Sequence, residues 1–191
     1  MAKLHFKYGA MNSGKSDTLI KTAYNYTERG LKVIVIKPET DTKGDDYIVA
    51  RGGHKRKVDI LATSDLDVEQ AVAKYQDIAC VLVDEAQFLE PNQVNQLFHV
   101  AKDHNISVIC YGLRSDFRTQ MFPGSKRLLE VADNIAKLPT MCSCGRQAEF
   151  NTRKVNGKYV FSGDQVAIDG DTSVEYDSFC GQCYIRNGGT I

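Results

Sequence analysis

The sequence has no long hydrophobic run and no net charge, and each absence argues against a class of protein. The longest uninterrupted apolar stretch runs from Ile78 to Val83, whereas a membrane-spanning helix needs about 20 such residues. The 24 Lys and Arg residues balance 24 Asp and Glu residues, which removes the strong electrostatic attraction behind general binding to nucleic acids or acidic membranes. We therefore expect neither a membrane nor a nucleic acid as a partner.

The first residues also lack the pattern of a secretory leader. The segment from Met1 to Tyr8 alternates apolar and polar side chains and has no small-residue cleavage site. We expect this segment to form a first strand and the protein to stay in the cytoplasm. In that compartment the six cysteines are expected to be metal ligands or buried thiols rather than disulfides.

At 191 residues the chain is long enough for one domain with its own core and a small additional module. Up to Pro139, short apolar runs rich in β-branched residues alternate with segments of helical period. This alternation predicts a mostly parallel sheet with helices on both faces. The predicted strands span residues 4–8, 33–36, 78–83 and 106–111, and the predicted helices include residues 68–75, residues 94–101 and a segment ending near Gly30.

Two regions depart from this alternation. Residues 41–57 combine three glycines with mixed charges and are predicted to be a surface loop. After Pro139 the chain is rich in glycine, contains four cysteines and has only short strand-like pieces, at 159–161 and 165–168. We predict an α/β nucleotide-binding domain at 1–139 and a small zinc-ribbon-like module at 140–191.

A phosphate-binding loop is the most specific motif. Residues 9–16 match G-x-x-x-x-G-K-[ST] in full, between a predicted strand and a predicted helix. Such a loop directs backbone N–H groups at an anion, while Lys15 contacts terminal phosphates and the Ser16 hydroxyl ligates Mg²⁺. This motif gives the fold class as P-loop NTPase-like; a simple glycine turn with an exposed lysine is the alternative. The candidate ATP- and phosphate-binding residues are Gly9, Ala10, Met11, Asn12, Ser13, Gly14, Lys15 and Ser16, together with Asp84, Glu85, Ala86 and Gln87.

An acidic pair directly follows the most apolar predicted strand. Asp84 and Glu85 come after Val83, at a carboxyl strand end, where open α/β sheets bind their ligands. Asp84 is placed to hold Mg²⁺, and Glu85 is the candidate catalytic residue because it can take a proton from an acceptor. Taken alone, the pair is equally typical of a strand end that meets solvent.

Four cysteines form two close pairs. One residue separates Cys142 from Cys144, two separate Cys180 from Cys183, and 35 lie between the pairs. Four thiolates suit a closed tetrahedral Zn²⁺ site, and such a site leaves no position for a catalytic water. We therefore expect structural Zn²⁺, with two redox-active thiol pairs as the alternative.

Together these motifs resemble the thymidine kinases of the P-loop, zinc-bearing type. The resemblance runs nearly end to end and includes Val35-Ile36-Lys37, Asp41-Thr42, the segment from Tyr111 to Arg118, and Cys144-Gly145-Arg146. It implies transfer of the γ-phosphate of ATP to the 5′-hydroxyl of thymidine, with Mg²⁺, to give dTMP. It also implies a homotetramer that is inhibited by dTTP.

The resemblance further implies a role for individual positions. Glu85 corresponds to the general base, and the implied Mg²⁺-associated residues are Ser16, Asp41 and Asp84. The implied thymidine-binding residues are Met11, Leu113, Phe117, Phe122, Asn151, Val166, Ile168, Asp169 and Tyr176. The chain departs from the family pattern at Lys43, where arginine is common, at Asp169-Gly170 in place of Gly-Gly, and in two extra residues before Tyr176.

Two other classes share a P-loop with a zinc module. One is an ATPase that acts on DNA or RNA, which needs basic stripes or stacking aromatics; the only compact basic run here is Lys55-Arg56-Lys57. The other is a regulatory nucleotide-binding protein, for which Glu85 beside Asp84 would have no acceptor to activate.

Overall fold

The computed structural model describes residues 1–41, 44–165 and 173–191. In chain order its elements are β1 (Leu4–Tyr8), α1 (Lys15–Thr27), β2 (Lys32–Pro38), β3 (Tyr47–Val49), β4 (Lys55–Lys57), β5 (Ile60–Ala62), α2 (Val68–Ala73), β6 (Ile78–Val83), α3 (Pro91–Lys102), β7 (Ser107–Gly112), α4 (Pro123–Val131), β8 (Asn134–Lys137), β9 (Phe150–Val155), β10 (Lys158–Val160), β11 (Val174–Phe179) and α5 (Gly181–Arg186). One turn of 3₁₀ helix spans Ala86–Phe88.

A six-stranded parallel sheet forms the centre of the molecule, in the order β5-β2-β6-β7-β1-β8. Its inner strands β2, β6 and β7 are buried on both faces along most of their length. In β2, Val33 and Val35 pack in one cluster with α1, whereas Ile34 and Ile36 pack in a second cluster with α2, α3 and α4. The predicted fold class, a mostly parallel P-loop sheet covered on both faces, is therefore confirmed.

The helix ends follow local sequence signals. Helix α3 begins at Pro91 with a capping box, in which the Glu90 side chain accepts from the backbone of Gln93 and the Gln93 side chain accepts from the Glu90 N–H. Helix α1 ends at Thr27, and Gly30 follows in the left-handed region at φ 73°. The Gly30 N–H donates to the Thr27 carbonyl and closes the last turn.

The region 41–57 differs from the predicted loop. Strands β3 and β4 pair as an antiparallel hairpin with Ile48 opposite Arg56, and Gly53 turns the chain at φ 85°. Ile48 is buried beside Leu19 of α1, as is Val58 just after β4. The strands have only three residues each, so their alternation is too short to register as a period. Gly52 and Gly53, which the sequence pattern assigns to a loop, lie in the turn of this hairpin.

The chain after Pro139 forms a separate antiparallel sheet in the order β10-β9-β11, followed by α5. A small apolar cluster joins Ala148, Phe179 and Tyr184 to two of the cysteines. The strand predicted at 159–161 is present one residue earlier, as β10; most of the piece predicted at 165–168 lies outside the described residues.

A hydrogen bond links α5 to the segment after β7: the Tyr184 hydroxyl donates to the Phe117 carbonyl at 2.7 Å. Among the described residues, no helix combines the length and apolar character needed to cross a membrane.

Candidate active site

The loop from Gly9 to Ser16 connects β1 to α1 and requires its two glycines. A Cβ on Gly9 would lie 2.8 Å from the Leu138 carbonyl oxygen. Gly14 is the N-cap of α1 in the left-handed conformation, at φ 71°, which residues with a Cβ rarely adopt. The sequence therefore folds as the motif predicts, with the start of a helix directed at the site where phosphate would bind.

Lys15 is buried beneath this loop, with 7% of its surface exposed. Its Nζ donates to the Ala10 carbonyl at 3.1 Å and to the Gly9 carbonyl at 3.4 Å. Burial lowers the pKa of Lys15, against the attraction of Glu85 and Asp84. Its ammonium group thus lies at the base of the loop, where it can transfer hydrogen bonds from carbonyls to an entering anion.

Asp84 lies at the carboxyl end of β6 and is 3% exposed. Its Oδ2 accepts a hydrogen bond from the Ser16 hydroxyl at 2.9 Å, whereas its buried Oδ1 has no hydrogen-bond partner among the described residues. Burial raises the pKa of Asp84, and the charge of Glu85 raises it further. A buried carboxylate oxygen without a partner, next to a hydroxyl, fits the oxygen ligands that Mg²⁺ prefers.

Glu85 follows Asp84 in the left-handed region, at φ 46° and ψ 38°. This conformation is strained for a residue with a side chain, and it turns the chain sharply after the strand. The half-buried Glu85 carboxylate accepts a hydrogen bond from the Gln87 side chain at 2.5 Å. Glu85 and Lys15 line the same open cleft, of about 150 Å³, so a proton acceptor faces the space above the phosphate-binding loop.

The β3–β4 hairpin supplies the other wall of this cleft, through Val49, Ala50 and Arg51. None of these three residues carries a sequence motif that predicts a functional role. The available signal was the Gly52-Gly53 pair, which marks a turn, but nothing in the sequence indicates that the turn packs against the phosphate-binding loop.

Of the described residues in the implied thymidine set, only Met11 is among those that line this cleft. The Leu113 N–H donates to the side chain of Gln87. Phe122 caps α4 and packs edge-on against Phe88 at 5.6 Å. The remaining residues are placed as follows: Phe117 lies beneath the Arg153 guanidinium, Tyr176 is in β11 opposite Arg153, and Val166, Ile168 and Asp169 fall outside the described residues.

Asn151 connects three segments of the chain. Its Oδ1 accepts from the Met11 N–H at 2.8 Å, and its Nδ2 donates to the Ser115 carbonyl at 2.7 Å. The residue is 5% exposed. Its side-chain amide therefore joins β9 to the phosphate-binding loop and to the segment after β7.

Asp41, implied to be near Mg²⁺, lies three residues after the end of β2. Its Oδ2 forms an ion pair with Lys37 Nζ at 3.1 Å, and the Lys37 side chain is 1% exposed. Strands β2 and β6 are parallel neighbours, so Asp41 and Asp84 follow adjacent strands at the same edge of the sheet.

The four predicted zinc ligands converge. The sulfur atoms of Cys142, Cys144, Cys180 and Cys183 all lie within 4.8 Å of one another. Hydrogen bonds within the cluster, with that to Cys144 first, raise the pKa of Cys183 to about 12, whereas a hydrogen bond from the Cys183 backbone lowers the pKa of Cys180. The number and type of donor atoms fit a closed tetrahedral Zn²⁺ site.

The family model and the curated relatives indicate one family. The family model for thymidine kinase matches residues 2–184. The thymidine kinase of Shewanella oneidensis is 41% identical over 184 residues, which cover 94% of this chain and 95% of that protein. The thymidine kinase of Enterobacteria phage T4 is 42% identical over 185 residues, covering 94% of each protein. A solved structure, the Pif1 helicase from Candida albicans, has a TM-score of 0.42 and 17% identity over 72% of this chain and 36% of that chain.

Proposed function

This chain belongs to the thymidine kinase family, and on that basis we propose that it transfers the γ-phosphate of ATP to the 5′-hydroxyl of thymidine to give dTMP. The observation that carries the proposal is the convergence of a complete phosphate-binding loop with Asp84 and Glu85 at one edge of the parallel sheet. A phosphate donor and a hydroxyl acceptor need both features within reach of each other.

The donor side of the reaction uses the loop from Gly9 to Ser16. Its backbone N–H groups and the start of α1 bind the phosphates of ATP, and Lys15 exchanges its carbonyl partners for phosphate oxygens. Ser16 and Asp84 are the residues that would hold Mg²⁺, because they are hydrogen-bonded to each other and one Asp84 oxygen lacks a partner among the described residues. When bound, this ion neutralises charge on the transferred phosphoryl group.

The acceptor side uses Glu85 as the general base. The carboxylate faces the cleft above the phosphate-binding loop, and a base in that position removes the proton as the 5′-oxygen attacks the γ-phosphorus. We propose that thymidine lies between the loop and the segment after β7, against Met11, Leu113, Phe117, Phe122 and Asn151, with Tyr176 as a further contact. Val166, Ile168 and Asp169 are also proposed to bind thymidine and lie outside the described residues.

We propose that Zn²⁺ is structural. With four cysteine ligands the ion has no open position for substrate or water. The pairs Cys142–Cys144 and Cys180–Cys183 flank β9 and β11, so a bound ion would hold together the module that carries Asn151 and Tyr176. The proposed division of the chain at residue 139 follows the same boundary.

Three further proposals rest on the family alone: a homotetramer, inhibition by dTTP, and a cytoplasmic location. Sedimentation of the purified protein and a dTTP titration of its activity test the first two.

Replacement of Glu85 by glutamine tests the proposed reaction. We expect the rate of dTMP formation to fall by about 10² to 10⁴, the usual contribution of a positioned base, with MgATP binding little changed. The control is Glu130→Gln, since Glu130 is an exposed carboxylate in α4, far along the chain from the cleft residues. A Glu85→Gln enzyme within a few-fold of the wild-type rate would remove Glu85 from the mechanism.

A further inference from the structure

We infer that Gln87 is a positioning residue for Glu85 rather than a contact for the nucleotide; this inference rests on the proposed phosphoryl transfer. The Gln87 Nε2 donates to Glu85 Oε2 at 2.5 Å, and the Gln87 Oε1 accepts from the Leu113 N–H at 3.0 Å. Both ends of the side-chain amide are therefore used inside the protein. Gln87 is also 1% exposed and is not among the residues that line the cleft.

The backbone fixes the direction of this amide. The Leu113 N–H can only donate, so Oε1 must face it and Nε2 must face Glu85. Gly112 leaves the necessary room, because a Cβ there would lie 2.8 Å from Gln87 Oε1. Strand β7 thus sets the orientation of Gln87, which in turn holds one oxygen of the Glu85 carboxylate.

The consequence for the reaction is preorganisation. A free glutamate side chain has several rotatable bonds, and a base that must find its position in each turnover contributes less to the rate. A hydrogen bond from a buried, oriented amide restricts the carboxylate to one arrangement and leaves its second oxygen for the substrate proton. Gln87 would therefore affect kcat through Glu85 and leave the KM for ATP unchanged.

The test combines Gln87→Met with the Glu85→Gln background. In the wild-type background we expect Gln87→Met to lower kcat about tenfold, with both KM values changed by less than about twofold. In the Glu85→Gln background the same change should add less than about twofold, because the group it positions is already absent. Gln87→Glu keeps the bond to Leu113 and puts a carboxylate against Glu85, so it should lower kcat at least as much.

Gln93→Met is the matched control. Gln93 is another buried glutamine, and its amide donates to the Thr63 and Leu66 carbonyls, so its loss should lower the melting temperature without changing kcat. A rise in the KM for ATP in Gln87→Met, or equal effects in both Glu85 backgrounds, would overturn the inference. The wild-type rate with thymidine reports separately on the proposed function.

A different observation, the position of the β3–β4 hairpin, points to a second role: we propose that Arg51 contacts the phosphates of the donor nucleotide. Arg51 lines the cleft together with Lys15, Ser16 and Glu85. Lys15 and Arg51 are the two basic residues among the described lining residues, and Arg51 comes from the hairpin rather than from the loop.

The hairpin holds Arg51 in place by contacts on both sides of its tip. Ile48 and Ala50 are buried at 2% and 3% exposure, and the Ala50 N–H donates to the His54 carbonyl at 2.9 Å across the turn. His54 Nδ1 lies 3.8 Å from Asp17 Oδ1 in the first turn of α1. The tip is thus fixed beside the helix that ends the phosphate-binding loop, with the Arg51 side chain itself exposed to an entering ligand.

An arginine in this position suits a polyphosphate. Its planar guanidinium can donate to two oxygens of one phosphate or bridge two phosphates, whereas a lysine supplies a single point of charge. The Arg51 charge also affects Lys15. Burial is the main cause that lowers the pKa of Lys15, and the nearby Arg51 charge lowers it further. This role too rests on the proposed use of ATP.

Arg51→Gln should raise the KM for ATP about tenfold. This factor is at the lower end of the range for the loss of one charge-assisted hydrogen bond, because the Arg51 side chain is exposed. The KM for thymidine should change less than about twofold. Inhibition by inorganic tripolyphosphate, which lacks base and sugar, should weaken by a similar factor, and Arg51→Lys should recover part of the loss.

Lys55→Gln is the matched control: it removes the same charge from an exposed position on β4, outside the cleft lining. An equal rise in the KM for ATP in Lys55→Gln would assign the effect to general electrostatics and overturn the role of Arg51. Unchanged inhibition of Arg51→Gln by tripolyphosphate would also overturn the role of Arg51. This result does not depend on the activity of the wild-type protein with thymidine.

Discussion

Replacement of Asn151 by alanine should destabilise the protein and lower its melting temperature, because this side chain joins three segments. Without the amide, the Met11 N–H and the Ser115 carbonyl each lose a hydrogen-bond partner. An unpaired buried group costs about 1 to 3 kcal/mol. Taking about 1 kcal/mol for the half-buried Met11 N–H and about 1 to 3 kcal/mol for the Ser115 carbonyl, the free energy of unfolding should fall by about 2 to 4 kcal/mol.

For a chain of this size about 1 kcal/mol corresponds to roughly 2 to 4 °C, so we expect a melting temperature lower by about 5 to 15 °C. The chain contains no tryptophan, and the transition is therefore best followed by far-UV circular dichroism or calorimetry. Asn151→Asp keeps an acceptor for the Met11 N–H but places a carboxylate oxygen against the Ser115 carbonyl, so it should be no more stable than Asn151→Ala.

Asn92→Ala serves as the control, because Asn92 is exposed in the first turn of α3 and its loss should change stability by less than about 0.5 kcal/mol. An Asn151→Ala protein that melts at the same temperature as Asn92→Ala would refute the claim that this amide holds the modules together.

Three other outcomes follow from the site and the core. Lys15→Ala should raise the KM for ATP and lower kcat, since the lysine lies at the base of the phosphate-binding loop; unchanged ATP kinetics would contradict this. Cys183→Ser should reduce bound zinc, measured by elemental analysis, and raise the KM for thymidine more than that for ATP; a fully active, zinc-free variant would contradict it. The hydrogen bond from Lys102 lowers the pKa of Asp133, so the pair stabilises the fold above about pH 4 and loses this contribution as the pH falls through the lowered pKa. Thermal melts of Asp133→Ala and wild type should therefore differ at pH 7 and converge near pH 2; a difference that persists at low pH would exclude this linkage.

The sequence predicts those parts of the fold that carry a strong periodic or motif signal. Strands β1 and β6 match the predicted bounds. Strand β1 alternates apolar and polar residues, whereas β6 is a continuous apolar run because a strand buried on both faces tolerates few polar residues. The loop at 9–16 depends on residues adjacent in the chain, so its motif is sufficient. The cysteine pairs lie far apart in sequence but have a ligand spacing that few other structures require, and their clustering is confirmed.

The rest of the site depends on which strands become neighbours. Gln87 is bonded to Leu113, 26 residues away, because β6 and β7 are parallel neighbours; nothing local in the sequence indicates that contact. Arg51 reaches the cleft only because the hairpin packs on α1. Such residues carry ordinary local patterns, and their roles arise from tertiary packing.

The most direct test of the central claim is an assay of the purified protein with MgATP and each of thymidine, deoxyuridine, deoxycytidine, deoxyadenosine and deoxyguanosine, scored as nucleoside monophosphate formed. We expect dTMP from thymidine and, for one lost apolar group, dUMP at about one tenth of that efficiency. The kcat/KM for deoxycytidine should be lower by about 10³ or more, as when buried polar groups are left unpaired. Deoxyadenosine and deoxyguanosine should give no product because purines are too large for the proposed slot. Equal kcat/KM for thymidine and deoxycytidine, or no dTMP at all, would contradict the central claim.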